Sequence, residues 1–498
     1  MTNNSSDQSQ ALSRPTNPET QQETGAEIVT WSQLLKGPQF WPIVVLSFGV
    51  WLHAADGTLI ATLLPTAIAD IGGHRFIHWN MVLYNVGSIV AGAAAAALYT
   101  RFNLNRALIL SALVYAFGCL VSAVGPTMTE MLIGRLLQGM GGGTLVALTL
   151  ITISTRYSER YRPRILAFVS AIWGMASFLG PLMGGIFPEI GYWRLGFWSF
   201  AAQALLYCAA VHVVLRSPDT NDEMAAASPV ALQTGRLTLF AVAALLLASA
   251  GVDVDFILTP LLVAASLVLF VLFCIVDGRS GANRLFPVQF LSFRSPLGAG
   301  ILAIMAFSAA TIAFTLYGPV ILNQTLGLRP LAAGYMIALE SVAWSLGAVF
   351  VSGLTGRPER LAVLAGGAFL AFGPFGLALS VGAGSTWLIC SVLALQGCGF
   401  GLCFGPIMMR IMANAPPEEA ARTSGALMPL QTIAYTAGAA IAGLFASASG
   451  FSEGLTLEAA QIASRWVFMG FVPLSLIGFV ALIQLLRSDS GSPLHAES

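Results

Sequence analysis

Long apolar runs are the feature that most constrains how this chain of 498 residues can fold. A helix that crosses a bilayer needs about 20 consecutive, mostly apolar residues. Fourteen such runs recur along the chain, near residues 40–68, 77–99, 105–125, 128–153, 163–187, 196–215, 237–253, 256–276, 297–323, 331–354, 361–383, 386–409, 424–449 and 466–486. Only 9% of the residues are charged, whereas soluble domains carry roughly 25%. The sequence therefore predicts an all-α membrane protein with fourteen transmembrane helices.

The arginines test this count, because the cytoplasmic loops of membrane proteins carry an excess of Lys and Arg. With both termini placed in the cytoplasm, the outer loops contain only Arg75, Arg194, Arg329 and Arg465. Most other basic residues then fall in cytoplasmic segments, and Arg135 lies within a predicted span. One miscounted span would invert this bias partway along the chain, and no inversion occurs. We therefore predict a multi-pass protein of the cell inner (plasma) membrane with both termini cytoplasmic.

The polar stretches between the runs divide the chain into two groups of six predicted spans with a pair of spans between them. The polar N-terminal stretch has no signal-peptide pattern and is predicted to be disordered. The predicted units are a cytoplasmic tail (1–36), an N-terminal six-helix bundle (37–216), a cytoplasmic linker (217–235), a two-helix insert (236–277), a second linker (278–296), a C-terminal six-helix bundle (297–487) and a short tail (488–498). No repeat between the two bundles is visible in the sequence, which is usual where repeats are only structural.

The sequence lacks the patterns of catalysis and cofactor binding. Its six cysteines all fall within apolar runs, so we predict that they pack rather than bind metal or form disulfides. It contains no Walker-type Gly-x-x-x-x-Gly-Lys-Ser/Thr run, and no nucleophile–base set is apparent. We expect a protein that is not an enzyme, uses no cofactor and no metal, and binds no nucleic acid.

Two charged residues lie at membrane depth in the first half. Asp56 is in the middle of the first apolar run, and a carboxylate at that depth usually marks a proton or ion pathway. Arg135 lies at a similar height in the fourth run and needs a partner, because a lone buried guanidinium is costly. Asp56 is the obvious candidate. The pair is either a purely structural link between two helices or a site where proton and substrate compete for one acid.

Glu340 is the only acid inside a predicted span of the second half. Two carboxylates at similar depth on opposite halves suit a substrate site near the bilayer midplane. Glu340 is predicted to take part in proton coupling or to attract a cationic substrate. The alternative is a carboxyl group capped by a local hydroxyl such as that of Ser341.

Several aromatic and polar residues within the spans are candidates for the lining of a substrate cavity. These are Trp51, Tyr84, Asn85, Trp344, Gln396 and Gln431, with His53, Trp79 and Asn80 as further candidates. The face of the Trp344 ring, next to Glu340, is suited to holding a cation. The alternative for each is ordinary helix packing.

Motifs in the first half resemble those of a known family. The fourth run contains Arg135-Leu136-Leu137-Gln138-Gly139, and the fifth contains Gly174 followed by Gly180-Pro181-Leu182-Met183-Gly184-Gly185. Trp193-Arg194 and Phe197 stand at the start of the sixth run. Together with the number of predicted spans, these motifs resemble the major facilitator superfamily, and most closely its fourteen-helix drug:proton antiporter branch.

The resemblance implies two six-helix bundles that rock around a midplane site. It also implies that the helix carrying Gly174, Gly180, Pro181, Gly184 and Gly185 has a smooth face, which in antiporters of this superfamily seals one conformation against leakage. Small residues let two helix backbones approach closely, and a proline bends its helix and frees a carbonyl group.

The loop between the second and third runs departs from the family pattern. That pattern has an Asp and a Gly flanking the first Arg and an Arg pair further on. Here Arg101, Phe102 and Arg106 remain, without the Asp that is thought to latch the inward-closed state. A gating role for Arg101 and Arg106 is therefore predicted without its usual contact.

The leading interpretation is a proton-driven antiporter that exports drugs or other lipophilic or amphipathic compounds by alternating access, working alone as a monomer in the lipid bilayer. Its partners would be a small-molecule substrate and protons. One alternative is a narrow-specificity transporter of a metabolite or siderophore with the same fold. A second is a non-transporting sensor derived from such a transporter.

Overall fold

The computed structural model describes residues 30–158, 160–215, 234–281, 284–451 and 456–489, and all regular secondary structure in these ranges is helical. The helices are α1 (Trp31–Lys36), α2 (Phe40–Ile71), α3 (Trp79–Ala93), α4 (Ala95–Val124), α5 (Met128–Arg156), α6 (Arg162–Glu189), α7 (Leu195–Val214), α8 (Thr234–Ala250), α9 (Leu258–Arg279), α10 (Pro296–Leu326), α11 (Pro330–Ser352), α12 (Gly356–Gly382), α13 (Thr386–Ala413), α14 (Ala420–Ala448), α15 (Leu457–Met469) and α16 (Val472–Asp489), with 3₁₀ turns at His74–Phe76 and Pro417–Glu419.

Most of the predicted tails and of the first linker lies outside the described residues. The end of the N-terminal tail is an exception, because residues 31–36 form α1 rather than disordered chain. Thr30 and Gln33 explain this helix: each side chain hydrogen-bonds the backbone N–H of the other, which satisfies two donors at the helix start.

Twelve helical segments of the described residues are long and apolar enough to cross a membrane. In this count α15 and α16 form one segment, whereas α3 and α8, with 15 and 17 residues, are too short to be included. The predicted run 77–99 continues from α3 into the first turns of α4. α4 is itself interrupted at Asn103 (φ 59°, ψ 167°), between two predicted runs, and Asn is among the few residue types that tolerate positive φ. The count of fourteen spans stays a prediction.

Two groups of helices pack in the same order. In the first group, α2 to α7, helix α5 packs against α3 and α4, and α2 packs against α6. In the second group, α10 to α16, helix α13 packs against α11 and α12, and α10 packs against α14 and α16. We call these groups the N-bundle and the C-bundle. The repeat that is invisible in the sequence is thus present in the packing.

The two bundles meet mainly where α6 packs against α11 and α3 against α14, and α2 also contacts α10 and α11. The pair α8 and α9, which we call the insert, packs through α8 against both α3 and α14. At the turn of the insert, Asp253 pairs with Arg75 of the N-bundle at 2.9 Å. The neighbouring Asp255 accepts hydrogen bonds from the backbone N–H groups of Leu258 and Ile257, which lower the pKa of its carboxyl group.

Along α6 and α11, the two bundles are in contact at one end. Where α6 ends and α11 begins, Glu189 and Arg329 form an ion pair at 3.6 Å. Toward the middle of these helices, the hydroxyl of Ser341 donates to the carbonyl of Ser177 at 3.2 Å. One turn beyond Ser177, α6 is exposed at Gly174, where an added Cβ would have no neighbour within 4 Å. We call these the closed end and the open end, and the space between the bundles the cleft.

Candidate functional site

A buried ion pair occupies the centre of the N-bundle. Asp56, near the middle of α2, and Arg135 of α5 are both 0% exposed, and Nη1 of the guanidinium lies 3.0 Å from Oδ1 of the carboxylate. Removing one partner of such a pair leaves the other charge buried and uncompensated, at a cost of about 3–5 kcal/mol. The predicted partnership of these two residues is therefore present, and their role in proton coupling stays a prediction.

The guanidinium of Arg135 has three further partners. It donates through Nη1 to the Gln138 side chain at 2.6 Å and through Nε to the Asn80 carbonyl at 3.4 Å. Its plane lies over the ring of Tyr84 at 4.2 Å, within range of a cation–π interaction. Gln138 in turn donates to Ser122 at 3.2 Å. The Arg-x-x-Gln spacing thus places donor and acceptor one helical turn apart, and Arg135 is held in one position.

The pairing is nevertheless incomplete. Oδ2 of Asp56 and Nη2 of Arg135 have no hydrogen-bond partner among the described residues. A buried polar atom without a partner costs about 1–3 kcal/mol. A carboxylate bonded through only one oxygen is chemically suited to changing its partner or binding a proton.

His53 and Tyr84 lie beside the ion pair. Their rings stack with centroids 5.1 Å apart, and the Tyr84 hydroxyl is 2.9 Å from Nδ1 of His53. Tyr84 is almost fully buried, whereas His53 is partly exposed. Asn85, the next residue on α3, is buried and its amide nitrogen has no described partner. Sequence reasoning placed His53 only among further cavity candidates, although its position three residues before Asp56 was a usable signal.

The glycine face of α6 packs against α2. A Cβ on Gly180 would lie 2.7 Å from the carbonyl oxygen of Ala55, and a Cβ on Gly184 would lie 2.2 Å from that of Leu59. The backbones of the two helices are therefore in direct contact. The neighbouring Gly185 instead faces the C-bundle, whose Leu331 lies 2.6 Å from the position of such a Cβ. The motif therefore serves two contacts, one within the N-bundle and one across the closed end.

Pro181 explains the hydrogen bond between the bundles. Because proline has no N–H, the carbonyl four residues earlier, that of Ser177, lacks its helical donor. The hydroxyl of Ser341 on α11 donates to this carbonyl at 3.2 Å. The carbonyl of Pro181 itself accepts from Thr62 of α2 at 2.9 Å.

Glu340 lies near the middle of α11 in the C-bundle and is partly buried. Its carboxylate makes no ion pair or hydrogen bond with the described residues, and Ser341, the predicted cap, bonds elsewhere. It lies within electrostatic reach of Tyr435 on α14. The amide of Gln431 donates to the Tyr435 hydroxyl at 3.2 Å. Glu340 is thus an unpaired acid beside a small polar group.

The surroundings of three other cavity candidates differ. Trp51 donates from its indole nitrogen to Gln203 of α7 at 2.9 Å. Trp344 stacks on Phe400 with ring centroids 5.0 Å apart, which occupies one ring face. Gln396 is 1% exposed, and neither of its amide atoms has a described partner. A role of these residues in substrate binding stays a prediction.

The predicted gating residues flank the interruption of α4. Arg101 and Arg106 are both exposed, and the guanidinium of Arg101 lies 5.6 Å from the ring centre of Phe102. The backbone N–H of Arg106 donates to the side chain of Asn103 at 3.2 Å. The structure does not bring either arginine to the Asp56–Arg135 pair.

Two helical bundles with the same packing order, one of which encloses a buried ion pair, fit a membrane transporter. The sequence pattern of the Major Facilitator Superfamily matches residues 46–439. The chain belongs to this superfamily, as its motifs predicted.

Two of the similar relatives are named as multidrug-efflux proteins. A probable multidrug-efflux transporter of Mycobacterium tuberculosis (strain ATCC 25618 / H37Rv) is 31% identical over 480 residues, which cover 95% of this chain and 99% of the relative. The multidrug efflux pump SdrM of Staphylococcus aureus (strain N315) is 26% identical over 303 residues, or 61% of this chain and 66% of the pump.

Solved structures with a similar fold are distant in sequence. A crystal structure of a mutant of the peptide transporter POT in complex with alafosfalin has a TM-score of 0.63 and 16% identity, covering 90% of this chain and 95% of the other. A D-xylose-proton symporter has a TM-score of 0.59 and 15% identity, covering 88% and 97%. These likenesses support the fold.

Proposed function

We propose that this protein is a proton-coupled exporter of lipophilic, positively charged compounds. The observation that carries the proposal is the buried Asp56–Arg135 pair, which lies in the middle of the N-bundle with one carboxylate oxygen unbonded. The relatives named as multidrug-efflux proteins support export of drugs. The unpaired acid Glu340 supports a positive charge on the substrate.

The proposed topology has fourteen spans in the cell inner membrane and both termini in the cytoplasm. The arginine bias supports it, and α3 with the start of α4 supplies the second span, up to Asn103. The division into the N-bundle, the insert and the C-bundle follows the predicted boundaries. In this orientation the closed end faces outward, and the cleft opens to the cytoplasm.

The proposed cycle uses competition for one acid. With the cleft open to the cytoplasm, a cationic substrate enters and Asp56 loses its proton to that side. The bundles then rock, so that the cleft opens outward, the substrate leaves and Asp56 is protonated again. The driving force is the proton gradient, because the two protonation steps occur on opposite sides of the membrane. A single chain is sufficient for this cycle.

Inverted membrane vesicles provide the test. Vesicles containing the protein are energised by respiration, and uptake of a lipophilic cationic dye is followed by fluorescence quenching. We expect uptake that stops when the whole proton-motive force is collapsed with a protonophore, and no uptake by vesicles without the protein. Uptake that survives this collapse would rule out proton coupling. Failure to move any cationic compound of a broad panel would instead favour a narrow-specificity carrier or a non-transporting relative.

Glu340→Gln is expected to weaken transport of cationic dyes selectively. Loss of the unpaired charge should raise the dye concentration for half-maximal transport about tenfold, which corresponds to about 1.4 kcal/mol of lost attraction. Transport of a neutral lipophilic substrate should keep its half-maximal concentration. Dose–response curves in the same vesicles measure both. The matched control is Glu458→Gln, at an exposed site in the first turn of α15. An equal loss for neutral and cationic substrates would contradict charge recognition by Glu340.

A further inference from the structure

His53 is a partly exposed imidazole one helical turn from Asp56, on the side of the open end. Residues three apart in a helix lie on the same face. The imidazole stacks on Tyr84 of α3 and meets Trp173 of α6 edge-on, with centroids 6.1 Å apart. On the α5 side a Cβ on Gly142 would lie only 2.7 Å from Nδ1. The imidazole is therefore enclosed by three helices of the N-bundle, one helical turn from the buried carboxylate.

The hydrogen bonds of His53 suit every protonation state of its ring. The Tyr84 hydroxyl lies 2.9 Å from Nδ1 and 2.7 Å from the backbone carbonyl of His53. When Nδ1 carries no hydrogen, it can accept the hydroxyl proton. When Nδ1 is protonated, it donates to the hydroxyl oxygen, and the hydroxyl donates to the carbonyl. Nε2 makes no hydrogen bond with a described residue, so it is the ring atom available to water.

The charged groups around His53 belong to the ion pair. Arg135 of α5 lies within electrostatic reach of the imidazole, and Asp56 of α2 neutralises it. Tyr84 of α3 and Tyr115 of α4 are the other titratable side chains nearby, and the Tyr115 hydroxyl donates to the carbonyl of Leu52. With Asp56 ionised, the pair has no net charge. With Asp56 protonated, the free charge of Arg135 repels a second positive charge. Simultaneous protonation of Asp56 and His53 is therefore disfavoured.

We infer that His53 carries protons between Asp56 and the cleft. In this step the O–H bond of the Asp56 carboxyl group breaks and its proton passes to Nε2 of His53, directly or through one water molecule. The carboxylate left behind is compensated by Arg135. The N–H bond at Nε2 then breaks, the proton passes to water in the cleft and the imidazole becomes neutral again. The inference rests on the proposed function, because it requires Asp56 to exchange protons during transport.

His53→Gln tests this inference in the purified, full-length protein. Mixing the protein in weakly buffered detergent with a cationic dye that it transports should release protons, which a pH indicator records by stopped flow. In the variant we expect the amplitude of release to be kept and its rate to fall about 100-fold, the usual contribution of a positioned proton-transfer group. Dye counterflow in proteoliposomes at equal pH should be unchanged, since it needs the conformational change but no net proton transfer. His212→Gln, at an exposed site on α7, is the matched control.

The outcomes separate the inference from the proposed function. Release at the wild-type rate in His53→Gln would overturn the role of His53 as proton carrier. Loss of the whole amplitude with dye binding retained would also overturn it, because His53 would then be the stoichiometric proton site. A parallel loss of dye binding and counterflow would assign His53 a structural role and equally overturn it. Absence of proton release in the wild-type protein, by contrast, would refute proton coupling itself.

Discussion

Asp56→Asn is expected to reduce proton-driven dye transport to the level of vesicles without the protein. Asparagine keeps the shape of the side chain and a hydrogen-bond acceptor for Arg135, but it cannot bind or release a proton. Proton binding on one side and release on the other would therefore no longer be tied to dye movement. Uptake of dye into energised inverted vesicles measures the loss, and dye counterflow at equal pH should continue.

The control for this variant is a second buried ion pair. Arg236, near the start of α8, pairs with Asp277, near the end of α9, and both side chains are nearly buried. Asp277→Asn and Asp56→Asn each leave a buried guanidinium without its anion, so both should lower the free energy of unfolding by about 3–5 kcal/mol. Only Asp56→Asn should abolish proton-driven transport. Equal transport losses in both variants would reduce the role of Asp56 to structural stability.

Gly184→Ala is expected to destabilise the N-bundle severely. The added Cβ would lie 2.2 Å from the carbonyl oxygen of Leu59 and 2.3 Å from the hydroxyl of Thr62. Because the first of these is a backbone atom, α2 and α6 must move apart, and the hydrogen bond from Thr62 to Pro181 weakens. Overpacking usually costs about 1–3 kcal/mol, and we expect a loss of about 3 kcal/mol here. Thermal unfolding in detergent measures this loss.

The same substitution at Gly174, at the start of the motif, supplies the control. Gly174→Ala adds a Cβ that has no neighbour within 4 Å. Because alanine is about 1 kcal/mol more favourable than glycine inside a helix, this variant should be as stable as the wild-type protein or more so. If Gly184→Ala and Gly174→Ala unfold at the same temperature, then close contact of α2 and α6 does not contribute to stability.

The fold was accessible from the sequence because membrane insertion imposes a simple rule. Runs of about 20 apolar residues correspond to helices, and Arg135 needed an acid, for which Asp56 was the obvious candidate. The second span shows the limit of this reasoning. A run of apolar residues does not reveal the break at Ala94, between α3 and α4, or the left-handed conformation of Asn103, because both depend on how the neighbouring helices pack.

The side-chain contacts of the site were less predictable. The stacking of His53 on Tyr84 joins α2 with α3, and a sequence does not show which faces of two helices meet. The same limitation applies to Trp344. Its sequence position is compatible with either cation binding or helix packing, and in the structure its ring stacks on Phe400. Ser341 was considered a cap for Glu340 on the basis of adjacency alone. Its hydroxyl bonds across the bundles instead, because Pro181 leaves an acceptor there.

The contact between Ser341 and the carbonyl of Ser177 has a consequence for how the bundles separate. The acceptor belongs to the backbone, so no side-chain substitution at position 177 removes it. When the bundles part at the closed end, water must take the place of the Ser341 hydroxyl. Replacing Pro181 with alanine would supply an N–H that hydrogen-bonds the Ser177 carbonyl within α6, and the Ser341 hydroxyl would lose this acceptor. One hydrogen bond between the two halves of the molecule thus exists because a single N–H group is missing, four residues away along one helix.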